Sequence, residues 1–150
     1  MKNAHKENPS VSFNQGSLEP DPSTDAYIVY SYLRTMERRD LDAAGKMLAP
    51  DFEMIFPGNA SFSKLEDLVK YGKSRQKTAY KVFTAFDQVV DGEYTVVYAS
   101  GTLFGQRLDG AEYNGVRFVD RFTICGGLLS HQSVWNDMGR YDLGFEKRSV

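Results

Sequence analysis

Hydrophobic and polar residues alternate with period 2 along one stretch near the C-terminus, GVRFVDRFTICGGLLSHQSVWND, residues 115–137. In its first half, Asp120 lies in the middle of an apolar strand face whose other members are Val116, Phe118, Phe122 and Ile124. Gly126-Gly127 predicts a two-residue hairpin turn, because glycine readily adopts the positive φ angles that such a turn needs. The stretch therefore predicts two antiparallel strands with a carboxylate on an apolar face. A buried carboxylate is costly to ionise without compensation, so Asp120 is the main candidate for a functional residue.

Nearer the N-terminus, the apolar spacing is that of helices. Ser23-Thr24-Asp25 predicts a helix cap, and Tyr32 lies at the border of the apolar stripe that follows it. Asp40 predicts the start of a second short helix that Pro50 ends. A short strand is predicted from Phe52 to Phe56. Ser63-Lys64-Leu65-Glu66 matches a capping box and predicts a third helix.

From Tyr80 onward, the pattern predicts strands. Tyr80 to Val90 and Glu93 to Phe104 are rich in Val, Tyr and Thr, and Asp91-Gly92 predicts the turn between them. Helices followed by a meander of antiparallel strands predict an α+β domain whose strands curl around the helices and leave a pocket. We predict that residues 1–22 form a disordered or surface-draped leader and that residues 23–150 form this domain.

The composition of the chain argues against several classes of binding partner and cofactor. The net charge of −2 and the lack of a long basic run argue against nucleic acid or an anionic membrane. No run of about 18 apolar residues is present, so no membrane-spanning helix is expected. A single cysteine, Cys125, fits a reducing compartment, and we expect a cytoplasmic location. Two histidines and scattered acids predict no metal site, and no cofactor is expected.

Three stretches together resemble the SnoaL-like, nuclear-transport-factor-2-like superfamily over roughly residues 23–140. They are YSYLRTMERRDLDAAGKMLAPDFEMIF, FSKLEDLVKYG and FVDRFTICGGLLSHQSVWND. The resemblance implies a cone-shaped α+β barrel, in which a curved antiparallel sheet wraps around N-terminal helices and encloses a pocket. It also implies a homodimer that associates through the outer face of the sheet, where His131 would lie.

The resemblance implies roles for two residues. Asp120 lies where steroid-isomerase-like members place an acid, and where SnoaL-type polyketide cyclases place their acid/base aspartate. Tyr32 lies near the tyrosine that partners that acid in the isomerases. The chain has Phe56 where the isomerases have their catalytic base, and Ser100–Leu103 where epoxide-hydrolase-like members have an Arg-x-Asp pair.

The remaining candidates are pocket-lining side chains. We predict that the substrate contacts Asn136, Gln132, Phe56, Tyr71, Tyr98 and Phe118; for the three aromatic residues Phe56, Tyr71 and Tyr98, packing in the core is the alternative. For Asp120 the alternatives are pairing with a neighbouring arginine, or a β-bulge that turns it outward. Arg117 and Arg121 lie on the opposite face of the strand and are poor partners within it.

Together these observations predict a pocket for a hydrophobic carbonyl or polyketide-like compound. The expected activity is proton transfer without a cofactor, as in an isomerase, cyclase or dehydratase, with Asp120 and Tyr32 as the catalytic residues. Two alternatives stay open: a non-catalytic small-molecule-binding protein, which Phe56 at the base position favours, and a dimeric interaction module of the same fold.

Overall fold

The structure is a computed structural model that describes residues 16–142. Within this range the chain forms four helices and six strands. The helices are α1 (Asp25–Glu37), α2 (Leu41–Gly45), α3 (Leu65–Lys73) and α4 (Met138–Asp142), and the strands are β1 (Leu48–Phe56), β2 (Ala60–Phe62), β3 (Gln76–Asp91), β4 (Tyr94–Arg107), β5 (Glu112–Cys125) and β6 (Leu128–Asn136).

The strands form one curved, open sheet in the order β2-β1-β6-β5-β4-β3. The predicted α+β class is confirmed. Four of the five neighbouring strand pairs are antiparallel, as predicted, whereas β1 and β6 run parallel, with Met54 opposite Gln132. A parallel pair needs a long connection rather than a hairpin turn, and here residues 57–127 lie between the two strands.

Helix α1 packs against the inner face of the sheet. Its buried side chains include Val29, Tyr32 and Leu33. Tyr32 is fully buried rather than at the border of the stripe, and its ring meets those of Phe52 and Phe122 edge-on, with centroids 6.2 and 5.8 Å apart. A curved sheet covers a wider arc of the helix than a flat contact would, which explains why Tyr32 belongs to the core.

The β5–β6 hairpin confirms the prediction made from alternation. Gly126 and Gly127 adopt φ angles of 58° and 76° in the turn. Asp120 lies opposite Ala99 of β4 and Val134 of β6, and its side chain is buried. Val119, its neighbour in the chain, is 37% exposed on the other face. The β-bulge that would have turned Asp120 outward is therefore not formed at this position.

Two helix boundaries differ from the prediction. Helix α2 begins after Asp40, whose side chain accepts a hydrogen bond from the amide of Ala43, as expected, but it ends at Gly45 rather than at Pro50. The strand β1 begins at Leu48, four residues before the predicted start at Phe52, because Leu48 pairs with Leu129 of β6 in the sheet. Helix α3 begins after Lys64 without a side-chain cap hydrogen bond, so the predicted capping box at Ser63 is not formed.

Part of the predicted leader lies along β3. The amide of Leu18 donates to the carbonyl of Phe83 at 2.8 Å, and the amide of Phe83 donates to the hydroxyl of Ser17 at 3.0 Å. Residues 1–15 of the leader and 143–150 of the domain lie outside the described residues, so the predicted boundaries remain predictions. The short helix α4 follows β6 in a part of the chain whose pattern predicted no element.

Candidate active site

A cavity of about 210 Å³ opens between α1, α3 and the inner face of the sheet. Its lining is mixed: ten of its 26 residues carry a charged or amide side chain, and most of the others are aromatic or aliphatic. Seven of the eight predicted site residues contribute to it, namely Tyr32, Phe56, Tyr71, Phe118, Asp120, Gln132 and Asn136. The fold therefore brings together residues that are up to about a hundred positions apart in the sequence.

Tyr98 does not line this cavity and lies on the outer face of β4. It is 37% exposed, and the guanidinium of Arg121 lies 6.0 Å from the centre of its ring. Its neighbours Val97 and Ala99 are both fully buried on the inner face, and side chains alternate along a strand. The prediction of Tyr98 as a pocket residue is corrected, because it rested on residue type rather than on strand parity.

Asp120 is the most buried carboxylate among the described residues, with 1% of its surface exposed. Neither of its oxygens has a hydrogen-bond partner among those residues. Phe118 and Phe122 flank it on the same strand face. Burial raises the pKa of Asp120 above its ordinary value, and the charge of Lys81 and the nearby polar side chain of Gln132 act in the opposite direction.

Lys81 of β3 is a site residue that the sequence analysis missed. Its Nζ lies 3.7 Å from Oδ2 of Asp120 and 5.1 Å from the centre of the Phe118 ring, and 21% of the side chain is exposed. This separation is too long for a direct hydrogen bond but short enough for strong charge attraction away from bulk water. Lys81 and Asp120 are separated by β4 in the sheet, so no local spacing could have paired them.

Tyr32 and Gln132 complete the inner end of the cavity. The Tyr32 hydroxyl donates to Sδ of Met54 at 3.9 Å, and sulfur is only a weak acceptor. Burial, and secondly the charge of Asp120, raise the pKa of Tyr32, so the phenol keeps its proton. Gln132 is 3% exposed, and its Oε1 has no hydrogen-bond partner among the described residues. Buried polar atoms are nearly always paired, so three unpaired oxygens around one cavity indicate a place for ligand groups.

The backbone of Lys81 is held by a pair of charged residues from α1. Oε1 of Glu37 accepts from the amide of Lys81 at 3.1 Å, and Nη1 of Arg34 donates to its carbonyl at 2.9 Å. Arg34 and Glu37 also pair with each other, at 2.9 Å. Arg34 reaches the leader as well, through a 3.0 Å hydrogen bond to Ser17. This contact between helix and edge strand fixes the position from which Lys81 reaches Asp120.

Phe56 and Asn136 lie in the cavity wall, where each has a structural partner. Phe56 packs edge-on against Phe62, with ring centroids 6.0 Å apart. Oδ1 of Asn136 accepts a hydrogen bond from the amide of Met138 at 3.0 Å, which starts α4 and leaves the amide NH₂ of Asn136 as its free polar group. Of the two carboxylates in the lining, Glu37 is engaged by Arg34, whereas Asp120 has no hydrogen-bond partner among the described residues.

Within residues 16–142, no three His, Cys, Asp or Glu side chains are grouped closely enough to hold a metal ion. None of the helices in that range has both the length and the apolar character needed to cross a bilayer.

The model of the SnoaL-like domain matches residues 29–132, which is more than two thirds of the chain. The chain belongs to the SnoaL-like domain family. This finding confirms the resemblance seen in the sequence, and in this SnoaL-like protein the matched range includes most of α1 together with Lys81, Asp120 and Gln132. A comparison with curated proteins found no significant match.

Solved structures share the fold at low sequence identity. TerC, crystallised with polyporic acid, superposes with a TM-score of 0.65 at 14% identity, covering 82% of this chain and 98% of TerC. A putative SnoaL-like polyketide cyclase from Jannaschia sp. CCS1 gives 0.62 at 17% identity, covering 89% and 100%. An NTF2-like protein from Burkholderia xenovorans LB400 gives 0.60 at 18% identity, covering 83% and 95%. These values support a common SnoaL-like, NTF2-like architecture.

Proposed function

We propose that this protein is a cofactor-independent enzyme that transfers protons on a hydrophobic, ring-bearing carbonyl or polyketide-like compound. Isomerisation, cyclisation and dehydration all belong to this class of reaction. The observation that carries the proposal is the carboxyl group of Asp120, buried at the inner end of the cavity without a hydrogen-bond partner and 3.7 Å from Lys81. Groups perturbed in this way are typical of acid/base centres.

In the proposed reaction Asp120 is the general base. The carbon–hydrogen bond next to the substrate carbonyl breaks, the proton passes to Asp120, and the electron pair forms an enolate. A carboxylate with a raised pKa is a better base, and the charge of Lys81 favours its ionised form. In a conjugated enolate, returning the proton to a different carbon gives isomerisation. In cyclisation the enolate carbon attacks a second carbonyl of the substrate, and the oxygen of that carbonyl takes the proton back from Asp120. Loss of water from the resulting alcohol is the dehydration.

Tyr32 is proposed to stabilise the enolate oxygen. Its hydroxyl lies in the cavity wall and has only the weak Met54 acceptor as a partner, so it can donate to a substrate oxygen without losing a strong bond. Preorganised donors of this kind are commonly the largest contribution to such catalysis. Asp120 as the base also accounts for Phe56 at the position where the isomerases have theirs.

The comparisons support a small-molecule ligand in this fold. TerC was crystallised with polyporic acid, and the Jannaschia protein is described as a putative polyketide cyclase. Both observations belong to those proteins, and they make a small molecule with oxygen functions the first class of compound to test here.

The test is exchange of carbon-bound hydrogen in D₂O, followed by NMR on simple single-ring ketones such as phenylacetone and cyclohexanone. We expect the protein to accelerate deuterium incorporation next to the carbonyl and Asp120→Asn to abolish the acceleration. Asp87→Asn, at an exposed acid of β3, is the matched control and should behave as wild type. Binding of these ketones without any acceleration would contradict the enzymatic function.

The second candidate is a non-catalytic binding protein with the same cavity, which Phe56 at the isomerase base position favours. In that case ligands would shift the NMR signals of cavity residues such as Gln132 and Tyr71 and raise the melting temperature, but exchange in D₂O would stay at the rate without protein.

We further propose that the protein is a cytoplasmic homodimer that associates through the outer face of the sheet. Trp135 is 56% exposed on this face, near Val119 and Tyr98, and an exposed aromatic patch commonly marks an interface. His131, paired with Ser133 at 2.9 Å, borders the same face. Light scattering should give a dimer mass at micromolar concentration, and Trp135→Glu should reduce it to the monomer mass.

A further inference from the structure

The charged side chains that line the cavity are mostly basic, although the chain as a whole has a net charge of −2. Five of these seven are basic, namely Arg39, Lys73, Arg75, Lys77 and Lys81, and the two acidic ones are Glu37 and Asp120. A cleft lined by one sign of charge raises the local concentration of ligands of the opposite sign.

The two acids of the lining are already compensated. Glu37 pairs with Arg34, and Asp120 lies beside Lys81. Lys73 and Lys77, by contrast, have no ion-pair partner among the described residues, and both are exposed. The inner end of the cavity is therefore close to neutral, and an excess of positive charge lies at its mouth.

Arg39 is an exposed residue of the lining with an unusual backbone conformation. It follows the end of α1 with a φ of 58°, in the left-handed region that is costly for residues other than glycine. Its Nη1 donates to the carbonyl of Met36, which fixes the guanidinium at the rim. Its other N–H groups have no partner among the described residues and can bind an anion.

The volume of the cavity limits what it can enclose. A cavity of about 150 Å³ holds one benzene molecule. At about 210 Å³, this cavity has room for one six-membered ring with small substituents. The charged mouth lies at the ends of α1 and α3, whose last carbonyls carry partial negative charge, and this disfavours a dianionic phosphate more than a single carboxylate.

We propose that the ligand is a single-ring compound with a carboxylate, bound with the ring inside the cavity and the carboxylate at the mouth against Arg39 and Lys73. The proposal narrows the class of substrate for the proposed function. The idea that this ligand also carries a reactive carbonyl near Asp120 and Tyr32 rests on that proposed function. The charge and size of the ligand follow from the lining alone.

The test compares benzoate with benzamide, which has the same ring without the charge, by isothermal titration calorimetry. We expect benzoate to bind about tenfold more tightly at about 10 mM salt, and the difference to disappear near 0.5 M salt, about where screening removes exposed charge attraction. Arg39→Gly and Lys73→Met should each weaken benzoate binding by about three- to tenfold and leave benzamide binding unchanged. Arg39→Gly should not lower the melting temperature, because glycine accepts the left-handed backbone.

Lys70→Met is the matched control, since Lys70 is exposed on the same helix as Lys73 but lies outside the lining. It changes the net charge equally and should leave both affinities unchanged. Three results would each overturn the proposal: equal binding of benzoate and benzamide, no binding of benzoate below about 10 mM, or equal losses of affinity from Lys70→Met and Lys73→Met. Equal binding of benzoate and benzamide would mean that these cations only complement helix ends. Binding of benzoate is measured independently of hydrogen exchange, because benzoate has no exchangeable hydrogen next to a ketone. If benzoate and benzamide bind as predicted but no ketone undergoes exchange, the enzymatic function is refuted and the ligand proposal stands.

Discussion

Lys81 and Asp120 form a charged pair across the interior of the sheet, with 3.7 Å between Nζ and Oδ2 and no hydrogen bond to either carboxylate oxygen. The pair joins an edge strand to a central strand, and the side chain of Leu103 in β4 contributes to the same wall. Desolvation raises the pKa of Asp120, whereas attraction to Lys81 lowers it.

Replacing Asp120 by Asn should remove proton transfer and one source of pH dependence. Because burial raises its pKa, the folded protein holds the proton more tightly than the unfolded chain. The resulting stability is present below the unfolded value of about 3.9 and is lost as pH rises through the higher folded value. The difference in free energy of unfolding between wild type and Asp120→Asn, measured by urea titration across pH, should fall with rising pH over this window. The rate of deuterium exchange into the ketone should be about 10²–10⁴-fold lower in Asp120→Asn than in wild type. A difference that rises with pH would mean that the folded pKa is lowered.

Lys81→Met should make Asp120 harder to ionise. The charge of Lys81 lowers the pKa of Asp120, so its loss should raise that pKa further and move the acidic limb of the exchange rate to higher pH. Lys46→Met, at an exposed site beyond α2, should leave the profile in place. If the acidic limb of the exchange rate were unchanged in Lys81→Met, the charge of Lys81 would not control the ionisation of Asp120.

Tyr32→Phe should lower the exchange rate by about 10²-fold, the loss typical of one oxyanion donor. Stability should change by less than about 1 kcal/mol, because the hydroxyl loses only its weak contact with Met54. Tyr98→Phe makes the same chemical change on the outer face and should retain full activity. Equal activity of both variants would remove Tyr32 from the catalytic group.

Glu37→Ala should weaken both stability and the positioning of Lys81. It removes the acceptor of the Lys81 amide and the carboxylate partner of Arg34, a loss of about 2 kcal/mol in the free energy of unfolding. The acidic limb of the exchange rate should move in the same direction as in Lys81→Met. Glu37→Gln keeps an oxygen acceptor for that amide and should restore much of the profile, whereas a purely structural role would leave the profile unaffected in both variants.

The two helix caps predicted from the sequence, at Asp40 and Ser63, should differ in their contribution to stability. Asp40→Ala should cost about 1 kcal/mol, because the Asp40 side chain accepts the amide of Ala43. Ser63→Ala should stay within about 0.5 kcal/mol, because Ser63 makes no cap hydrogen bond at the start of α3. Urea denaturation of the two variants measures both values, and equal losses would show that the capping box forms in solution.

The sequence predicted the hairpin and the inward orientation of Asp120 because both depend on local rules. Alternation along a strand places Phe118, Asp120 and Phe122 on one face, and the Gly126-Gly127 turn fixes the register of the returning strand. The same parity brought Gln132 and Asn136 into the cavity wall. The family resemblance likewise depended on the order of these elements, and the match over residues 29–132 confirms it.

Only the tertiary structure decided which residue meets Asp120. Lys81 reaches it across β4, and it is held there by Arg34 and Glu37 of α1, so the contact depends on strand order and on helix packing rather than on spacing. For the same reason Tyr98, a suitable residue type, lies outside the cavity. Local sequence determines which face of a strand a side chain occupies, whereas the partners of that side chain are set by contacts between segments that are distant in the chain.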